Sequence, residues 1–360
     1  MKKKTIFPFL LLLAALLGCE DDITLPDADN NPKLVVYCFP STQDTTWISV
    51  SQSLPVKQYR DSVRLRTIDN ATISYSVNGG QKSVTNAGNG YYYVVAAQKA
   101  GDNIAVTVAA DGMPTASAET HIPNTVAVTI PVHRTVNIYD DDEGRTEEYD
   151  QLVASFTDPA ATRDYYAVRL KLKYVNGYGY AYYGSEGDYV NFNTEQDWEQ
   201  LKAMTNGDTG QPVYDPIVVF RTDSTYFYPN INTKNEPLLM SKTDIDDAFG
   251  FSDDYFGGLY IFDDTAVSGK HYTLHLNRRN NEWRIGYLIF EERVELLHLT
   301  PEYYNFLKSV NAIENSDLAH YGLSQLMPTA SNVRGGLGVV GGWNVSHTEW
   351  INAHRYNYEK

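Results

Sequence analysis

The chain has 360 residues, more than a usual single domain, so its length predicts two domains with cores of adequate size. It carries 29 basic and 45 acidic residues, and the formal charge of −16 argues against nucleic acid as a partner, because phosphate binding needs a basic face. The 28 tyrosines and the short runs of alternating apolar and polar residues predict that both domains are mainly β.

The first 18 residues have the pattern of a signal peptide. Lys2, Lys3 and Lys4 form a positive segment, and the apolar run from Ile6 to Leu17 fits a secretory leader but is too short to span a bilayer as a helix. We therefore interpret residues 1–18 as a leader that is removed from the mature protein.

The end of this leader, Leu16-Leu17-Gly18-Cys19, resembles the lipobox of bacterial lipoproteins, in which the cysteine is lipidated and becomes the first residue of the mature chain. We predict that Cys19 carries acyl chains. Each buried methylene contributes about 0.8 kcal/mol, so several chains would attach the protein permanently to a membrane. The alternative is a secretory leader that contains a cysteine by chance.

Acidic residues follow Cys19 directly. Glu20, Asp21 and Asp22 resemble the surface-export signal of Bacteroidota outer-membrane lipoproteins, and the alternative is an ordinary solvated tether. Residues 19–32 lack periodicity and predict a flexible acidic tether. Removal of the leader with its three lysines leaves 26 basic and 45 acidic residues, a charge of −19.

Residues 33–123 have the strand spacing of a β-sandwich. In the run Thr72 to Val77, the apolar residues Ile73, Tyr75 and Val77 share one face, and Asn78-Gly79 then suits a tight hairpin turn. The predicted strands are 33–39, 46–53, 71–77, 81–86, 91–96, 103–110 and 115–121.

The chain contains two cysteines, Cys19 and Cys38. If Cys19 is lipidated, Cys38 has no intramolecular partner, and the fold has no disulfide. Cys38 lies in an apolar run, so we interpret it as a small buried hydrophobic residue rather than a nucleophile.

Residues 124–360 predict a larger β-rich domain with two short helices. Its clearest strand is 165–175, where apolar residues alternate with Arg169, Lys171 and Lys173 and predict one solvated face. One helix is expected to begin at Thr194 and end near Gly207. The other is expected to begin at Thr300-Pro301, with an inward stripe of Tyr303, Phe306, Leu307 and Val310.

Several patterns suggest chemistry and fail on closer inspection. The segment Gly336 to Gly341 has the letters of a dinucleotide motif, but only 19 residues follow it, so its glycines are better explained by a bent or closely packed strand. His271 and His275 lie four apart in a predicted strand, about 13 Å from each other, and cannot share one metal ion.

The acidic pairs do not have the spacing of a known calcium loop and are interpreted as solvated loops, although a weak calcium site stays open. These pairs are Asp246-Asp247, Asp253-Asp254 and Asp263-Asp264, together with the loop 140–143. The usual hydrolase and metalloprotease motifs are absent from the sequence, so we predict no enzymatic activity, no catalytic residue, no metal and no cofactor.

Several segments in a fixed order resemble the domain of unknown function 4249 family of Bacteroidota outer-membrane lipoproteins. They are Lys33-Leu34-Val35-Val36, Ser51-Gln52-Ser53-Leu54-Pro55, Asp158-Pro159-Ala160 with Asp164-Tyr165-Tyr166, Val294-Glu295-Leu296, 299–308 and 332–342. The resemblance implies an immunoglobulin-like first domain, a larger β-rich second domain and a location beside TonB-dependent transporters. It implies no catalytic residues.

Two functions are therefore expected. The first is a non-enzymatic surface lipoprotein that captures a ligand for a TonB-dependent transporter or assists it. The second is a glycan-binding or adhesive module that works alone. The predicted contact residues are Tyr178, Tyr180, Tyr182 and Tyr183, because aromatic faces can stack on sugars, although alternating tyrosines also suit a core strand.

Overall fold

The computed structural model describes residues 31–54, 66–140, 144–183, 188–192, 221–233, 235–239, 258–279, 289–314 and 329–353, together with Gln200 and Ala203. Within these residues the protein is mainly β, as predicted, with 20 strands, one α-helix that is described over its whole length, and two separate helical residues, Gln200 and Ala203. The strands are β1 (Leu34–Cys38), β2 (Thr45–Gln52), β3 (Arg66–Thr67), β4 (Thr72–Val77), β5 (Gly80–Lys82), β6 (Val84–Gly88), β7 (Tyr91–Val95), β8 (Asn103–Ala109), β9 (Ala116–His121), β10 (Val128–Asp140), β11 (Arg145–Thr157), β12 (Tyr165–Tyr183), β13 (Asp188–Phe192), β14 (Arg221–Phe227), β15 (Tyr260–Asp263), β16 (His271–Arg279), β17 (Ile289–Leu299), β18 (Leu337–Val340), β19 (Trp343–His347) and β20 (Ile351–Ala353). The helix is α1 (Pro301–Glu314).

The N-terminal part is an immunoglobulin-like sandwich. One sheet contains the neighbours β1-β2-β7-β6, and the other has the order β5-β4-β8-β9. In the letters of the immunoglobulin fold these correspond to the ABED sheet and to the CFG sheet extended by one strand. The apolar faces of both sheets form one core. The predicted strands and the sandwich are therefore confirmed, except that the run 81–86 divides between β5 and β6.

Local sequence explains the details of this sandwich. Asn78 and Gly79 both have positive φ, of 51° and 81°, which confirms the predicted hairpin turn. Tyr75 is fully buried, and its hydroxyl donates a 2.6 Å hydrogen bond to Gln98 Oε1, so its polar end is satisfied inside the core. Cys38 is also fully buried and free, as predicted for a small core residue.

The sandwich also includes a strand from the far end of the chain. β18 pairs in parallel with β1, in the register Val36 opposite Gly338, and Val333 and Val340 lie in the same core. A segment that the sequence assigned to the second domain thus completes a sheet of the first. The boundary near residue 124 remains a prediction, but the N-terminal sandwich is not built from residues 33–123 alone.

Glycines allow this late strand to approach, as predicted for the segment 336–341. Gly338 has φ of +100°, and a Cβ there would overlap the Val36 carbonyl oxygen. At Gly336 a Cβ would lie 2.7 Å from the Leu34 carbonyl oxygen. Only residues without a side chain allow two backbones to lie this close.

The C-terminal part is a second sandwich. One sheet has the order β10-β11-β16, and the other has the order β13-β12-β17-β19, with β14, β15 and β20 paired on its long strands. Leu152 and Leu274 of the first sheet and Leu170 and Val294 of the second are fully buried in a common core. The alternation predicted in β12 is confirmed over residues 166–173, because Tyr166, Val168 and Leu170 lie in this core and Leu172 is also buried, while Arg169, Lys171 and Lys173 are partly exposed.

Helix α1 joins the two sandwiches. Thr300 accepts a 3.0 Å hydrogen bond from the amide of Tyr304, and Phe306 and Leu307 are buried as predicted. The ring of Phe306 lies 5.6 Å from that of Tyr37 in β1, while the same apolar cluster contains Leu297 of β17. Of the other predicted helix, only Gln200 and Ala203 are described, and both are helical. In the described part of the chain, no helix has the length and apolarity of a membrane span.

Candidate functional site on the outer face of the second sandwich

Four cationic side chains stand on the outer face of the sheet that contains β12 and β17. Arg169, Lys171 and Lys173 alternate along β12, and Arg293 of β17 lies directly opposite Lys171. Like charges opposite each other on neighbouring strands are destabilising. We name this surface the basic face.

A buried glutamate partly offsets these charges. The Glu295 carboxylate lies 2.8 Å from Arg169, 2.5 Å from Arg293 and 3.6 Å from Lys171. Burial raises the pKa of Glu295, but the three cations outweigh burial and hold the pKa below its ordinary value. Lys173 pairs with Glu291 at 2.7 Å. Among the described residues of this face, four cations against two carboxylates leave a positive surplus on a chain whose formal charge is −16.

Aromatic rings lie against Arg169, Lys171 and Arg293 of this face. The guanidinium of Arg169 lies 4.1 Å from the centre of the Tyr228 ring, and that of Arg293 lies 4.5 Å from the Trp350 ring. The ammonium of Lys171 lies 4.8 Å from the Tyr226 ring, which is itself half exposed. Such contacts stabilise a cation by about 0.5–2 kcal/mol, more when it is desolvated. The basic face is therefore a preorganised set of donors with an aromatic rim.

This arrangement suits an anionic ligand. Guanidinium groups present planar pairs of donors that match carboxylates, phosphates and sulfates, and partial desolvation strengthens the attraction. The cations are 16% to 26% exposed, so each keeps some contact with solvent.

A second charged cluster lies inside the sandwich. Arg278 of β16 donates to Asp150 at 2.6 Å and to Glu292 at 3.2 Å, and all three side chains are almost completely buried. The Nε2 atom of His133 lies 3.5 Å from Glu292. Burial raises the pKa of Glu292 and the nearby Asp150 charge adds to this, whereas Arg278 and His133 oppose it. Because Arg278, Asp150 and Glu292 connect the two sheets and are almost completely buried, we interpret this cluster as structural.

The predicted contact tyrosines lie on the same strand as the basic face. Tyr178 pairs with Arg221 of β14, and Tyr180 and Tyr182 pair with Asn191 and Tyr189 of β13, so the run is a strand. The side chains of Tyr178, Tyr180, Tyr182 and Tyr183 lie outside the described residues. Cys19, Glu20, Asp21 and Asp22 also lie outside them.

Sequence reasoning identified only part of the basic face. The alternation of Arg169, Lys171 and Lys173 was visible in the sequence as one solvated face. Arg293, Tyr226 and Trp350 come from three other segments, and no local pattern connects them.

One acidic pair behaves differently from the prediction. Asp263-Asp264 was expected in a solvated loop, but Asp264 is 4% exposed and lies beside Asp158 and Asp164. The pairing of β12 with β15 brings these carboxylates together from positions about a hundred residues apart. His271 and His275 both lie in β16, as predicted.

The family model described as Domain of unknown function (DUF4249) matches residues 20–349 of the chain. No curated protein shows significant similarity. The match covers β1 to β19 and α1, and the protein therefore belongs to the DUF4249 family.

Proposed function

We propose that this protein is a surface-exposed outer-membrane lipoprotein that captures an anionic ligand and serves as a non-enzymatic accessory of a TonB-dependent transporter. The leader and Cys19 support the lipid anchor, and Glu20, Asp21 and Asp22 support surface export. The observation that carries ligand capture is the basic face, a positive, aromatic-rimmed surface on a strongly acidic protein.

The contrast between the positive basic face and the acidic chain as a whole favours capture of a small ligand over non-specific adhesion. An acidic surface repels anions in general, whereas a local positive patch attracts one that fits between its donors. The patch combines directional guanidinium groups with rigid rings, which are the side chains that contribute most at binding hot spots.

The second candidate is a glycan-binding or adhesive protein that works alone. The half-exposed Tyr226 and the tyrosine run 178–183 favour it, since exposed rings stack on sugars. Against it, the rings of Tyr228 and Trp350 are already engaged by Arg169 and Arg293. The basic face is thus better suited to anions than to neutral sugars.

The location is tested in cells. Incorporation of a labelled fatty acid should be lost in Cys19→Ser, and protease added to intact cells should cut the wild type but spare a variant with Glu20, Asp21 and Asp22 changed to alanine. Label retained by Cys19→Ser, or equal protection of both proteins from protease, would contradict the anchor or the surface export respectively.

Ligand capture is tested with Arg169→Gln/Arg293→Gln against the control Arg279→Gln. Arg279 is also ion-paired, 3.0 Å from Glu147, but it lies on β16 of the opposite sheet. We expect the double variant to lose retention on arrays of acidic glycans and organic anions and to co-purify less ligand with the transporter, while the control resembles the wild type.

Retention unchanged in the folded double variant but lost in Tyr180→Ala/Tyr182→Ala would favour the glycan-binding alternative. Co-purification of a TonB-dependent transporter with the cross-linked wild-type protein is expected. Its absence would remove the accessory role.

A further inference from the structure

Three buried carboxylates meet where the second sandwich closes at one end. Asp158 follows β11, Asp164 precedes β12, and Asp264 follows β15. One oxygen from each carboxylate lies within 4.8 Å of the others, and the three residues are 3%, 5% and 4% exposed. The amide of Asp264 donates to the Asp164 carbonyl at 3.1 Å, which fixes the two chain segments side by side.

Two of the carboxylates are held by hydrogen bonds. Asp158 accepts from the Tyr166 hydroxyl at 2.6 Å and from the Gly269 amide at 2.9 Å. Asp164 accepts from the Thr162 hydroxyl at 2.7 Å and faces His298 Nε2 at 3.0 Å. A carboxylate offers about four acceptor positions, so both retain free lone pairs.

The third carboxylate is different. Among the residues that the structure describes, no donor forms a hydrogen bond with the side chain of Asp264, although the residue is 96% buried and its oxygen faces the other two carboxylates. A buried charged group without a partner costs several kcal/mol, and native structures avoid this by pairing it or by binding an ion.

One imidazole lies beside this cluster. The Nδ1 atom of His298 lies 2.7 Å from the Asn124 carbonyl oxygen, which only accepts, while Nε2 faces the Asp164 carboxylate. In the described part of the chain, His298 is the only basic side chain whose ion-pair contacts reach these three carboxylates.

We propose that Asp158, Asp164 and Asp264 form a binding site for a divalent cation of the calcium class. A divalent ion would supply the missing partner of Asp264 at the point where the three carboxylates meet. All three candidate ligand atoms are carboxylate oxygens, which hard cations prefer. Two oxygens that each lie about 2.4 Å from the same calcium ion are at most about 4.8 Å apart. The carboxylates of Asp164 and Asp158 would be oriented by their contacts with His298, Thr162 and Tyr166.

This ion would join three chain segments that meet without a disulfide. It would connect the turn after β11, the start of β12 and the turn after β15, next to the end of the sheet on which α1 packs. The site is separate from the basic face and does not depend on the proposed function.

The test uses the full mature chain in detergent, treated with a chelator and then titrated with CaCl₂, MgCl₂, MnCl₂ or ZnCl₂. We expect calcium to raise Tm by roughly 5 °C at about 100 times its Kd. We also expect Tb³⁺ to show luminescence sensitised by the nearby Tyr166, which calcium should reverse. Asp264→Asn should lose both effects, and the matched control Asp263→Asn, whose side chain caps the Thr265 amide, should retain them.

Two results would overturn the proposal. In the first, none of the four ions changes Tm and Tb³⁺ gives no sensitised emission. In the second, Asp264→Asn is more stable than the wild type without metal and binds ions no differently, which would mean that a proton rather than a metal ion neutralises the cluster.

Discussion

Arg278 donates a 2.6 Å hydrogen bond to Asp150 in the interior of the second sandwich, where both side chains are 3% exposed. Arg278 also reaches Glu292 on the opposite sheet, so one guanidinium connects the two layers. We predict that Arg278→Gln lowers the free energy of unfolding by about 3–5 kcal/mol, because it leaves two buried carboxylates without their cation.

Denaturant unfolding measures this effect, with Arg145→Gln as the control. Arg145 pairs with Glu147 but is 60% exposed, so its replacement should cost at most about 1 kcal/mol. Equal costs for the two variants would show that Arg278 is not needed to compensate the buried carboxylates.

The pH dependence of stability should have opposite signs at two neighbouring glutamates of β17. Burial raises the pKa of Glu292 above its unfolded value, so its contribution to stability is present below the unfolded pKa and is lost as pH rises through the folded pKa. Burial also raises the pKa of Glu295, but the surrounding cations outweigh burial and lower this pKa below its unfolded value. The contribution of Glu295 to stability is therefore present above the unfolded pKa and is lost as pH falls through the folded pKa.

Unfolding free energies of the wild type, Glu292→Gln and Glu295→Gln between pH 4 and pH 8 test this prediction. Relative to Glu292→Gln the wild type should lose stability as pH rises, and relative to Glu295→Gln it should gain stability. Parallel curves for the two variants would contradict the assignment.

Gly338→Ala should separate the late strand β18 from β1. The new Cβ would overlap the Val36 carbonyl oxygen, and φ of +100° already disfavours a side chain. The control is Gly112→Ala, where φ is +73° but nothing lies within 4 Å of the added atom, so backbone strain alone should cost about 1–2 kcal/mol.

We expect Gly338→Ala to lose at least about 2 kcal/mol more than this control in thermal or denaturant unfolding. The same loss in both variants would mean that positive φ, and not the contact between backbones, explains the glycine.

The thiol of Cys38 should be inert in the folded protein. Burial raises its pKa, and the side chain is fully enclosed in the first core, so neither the thiolate nor a reagent is available there. Native protein at pH 8 should not react with a thiol reagent such as DTNB. Denatured protein should react at Cys38, with one thiol detected per chain. Thr85→Cys, at an exposed position on β6, provides a positive control. Rapid reaction of the native wild type would contradict the burial of this residue.

The sequence by itself determined the elements whose signals are local. Alternation predicted the strands of the first sandwich, because residues two apart share a face whatever the strand pairs with. Asn78-Gly79 predicted its hairpin because these residues tolerate positive φ, and Thr300-Pro301 predicted the start of α1. The buried nature of Cys38 followed from its apolar neighbours in the same way.

Only the tertiary structure decided which distant segments meet. Nothing near Leu337 shows that its strand pairs with β1, since backbone hydrogen bonds carry no information about a partner's identity. The basic face needs the register of β12 with β17 to place Lys171 opposite Arg293. Likewise, Asp264 looks like one solvated acid among many until the pairing of β12 with β15 buries it beside Asp158 and Asp164. Surface charge and metal-ligand geometry depend on these long-range pairings, whereas alternation and turn preferences do not.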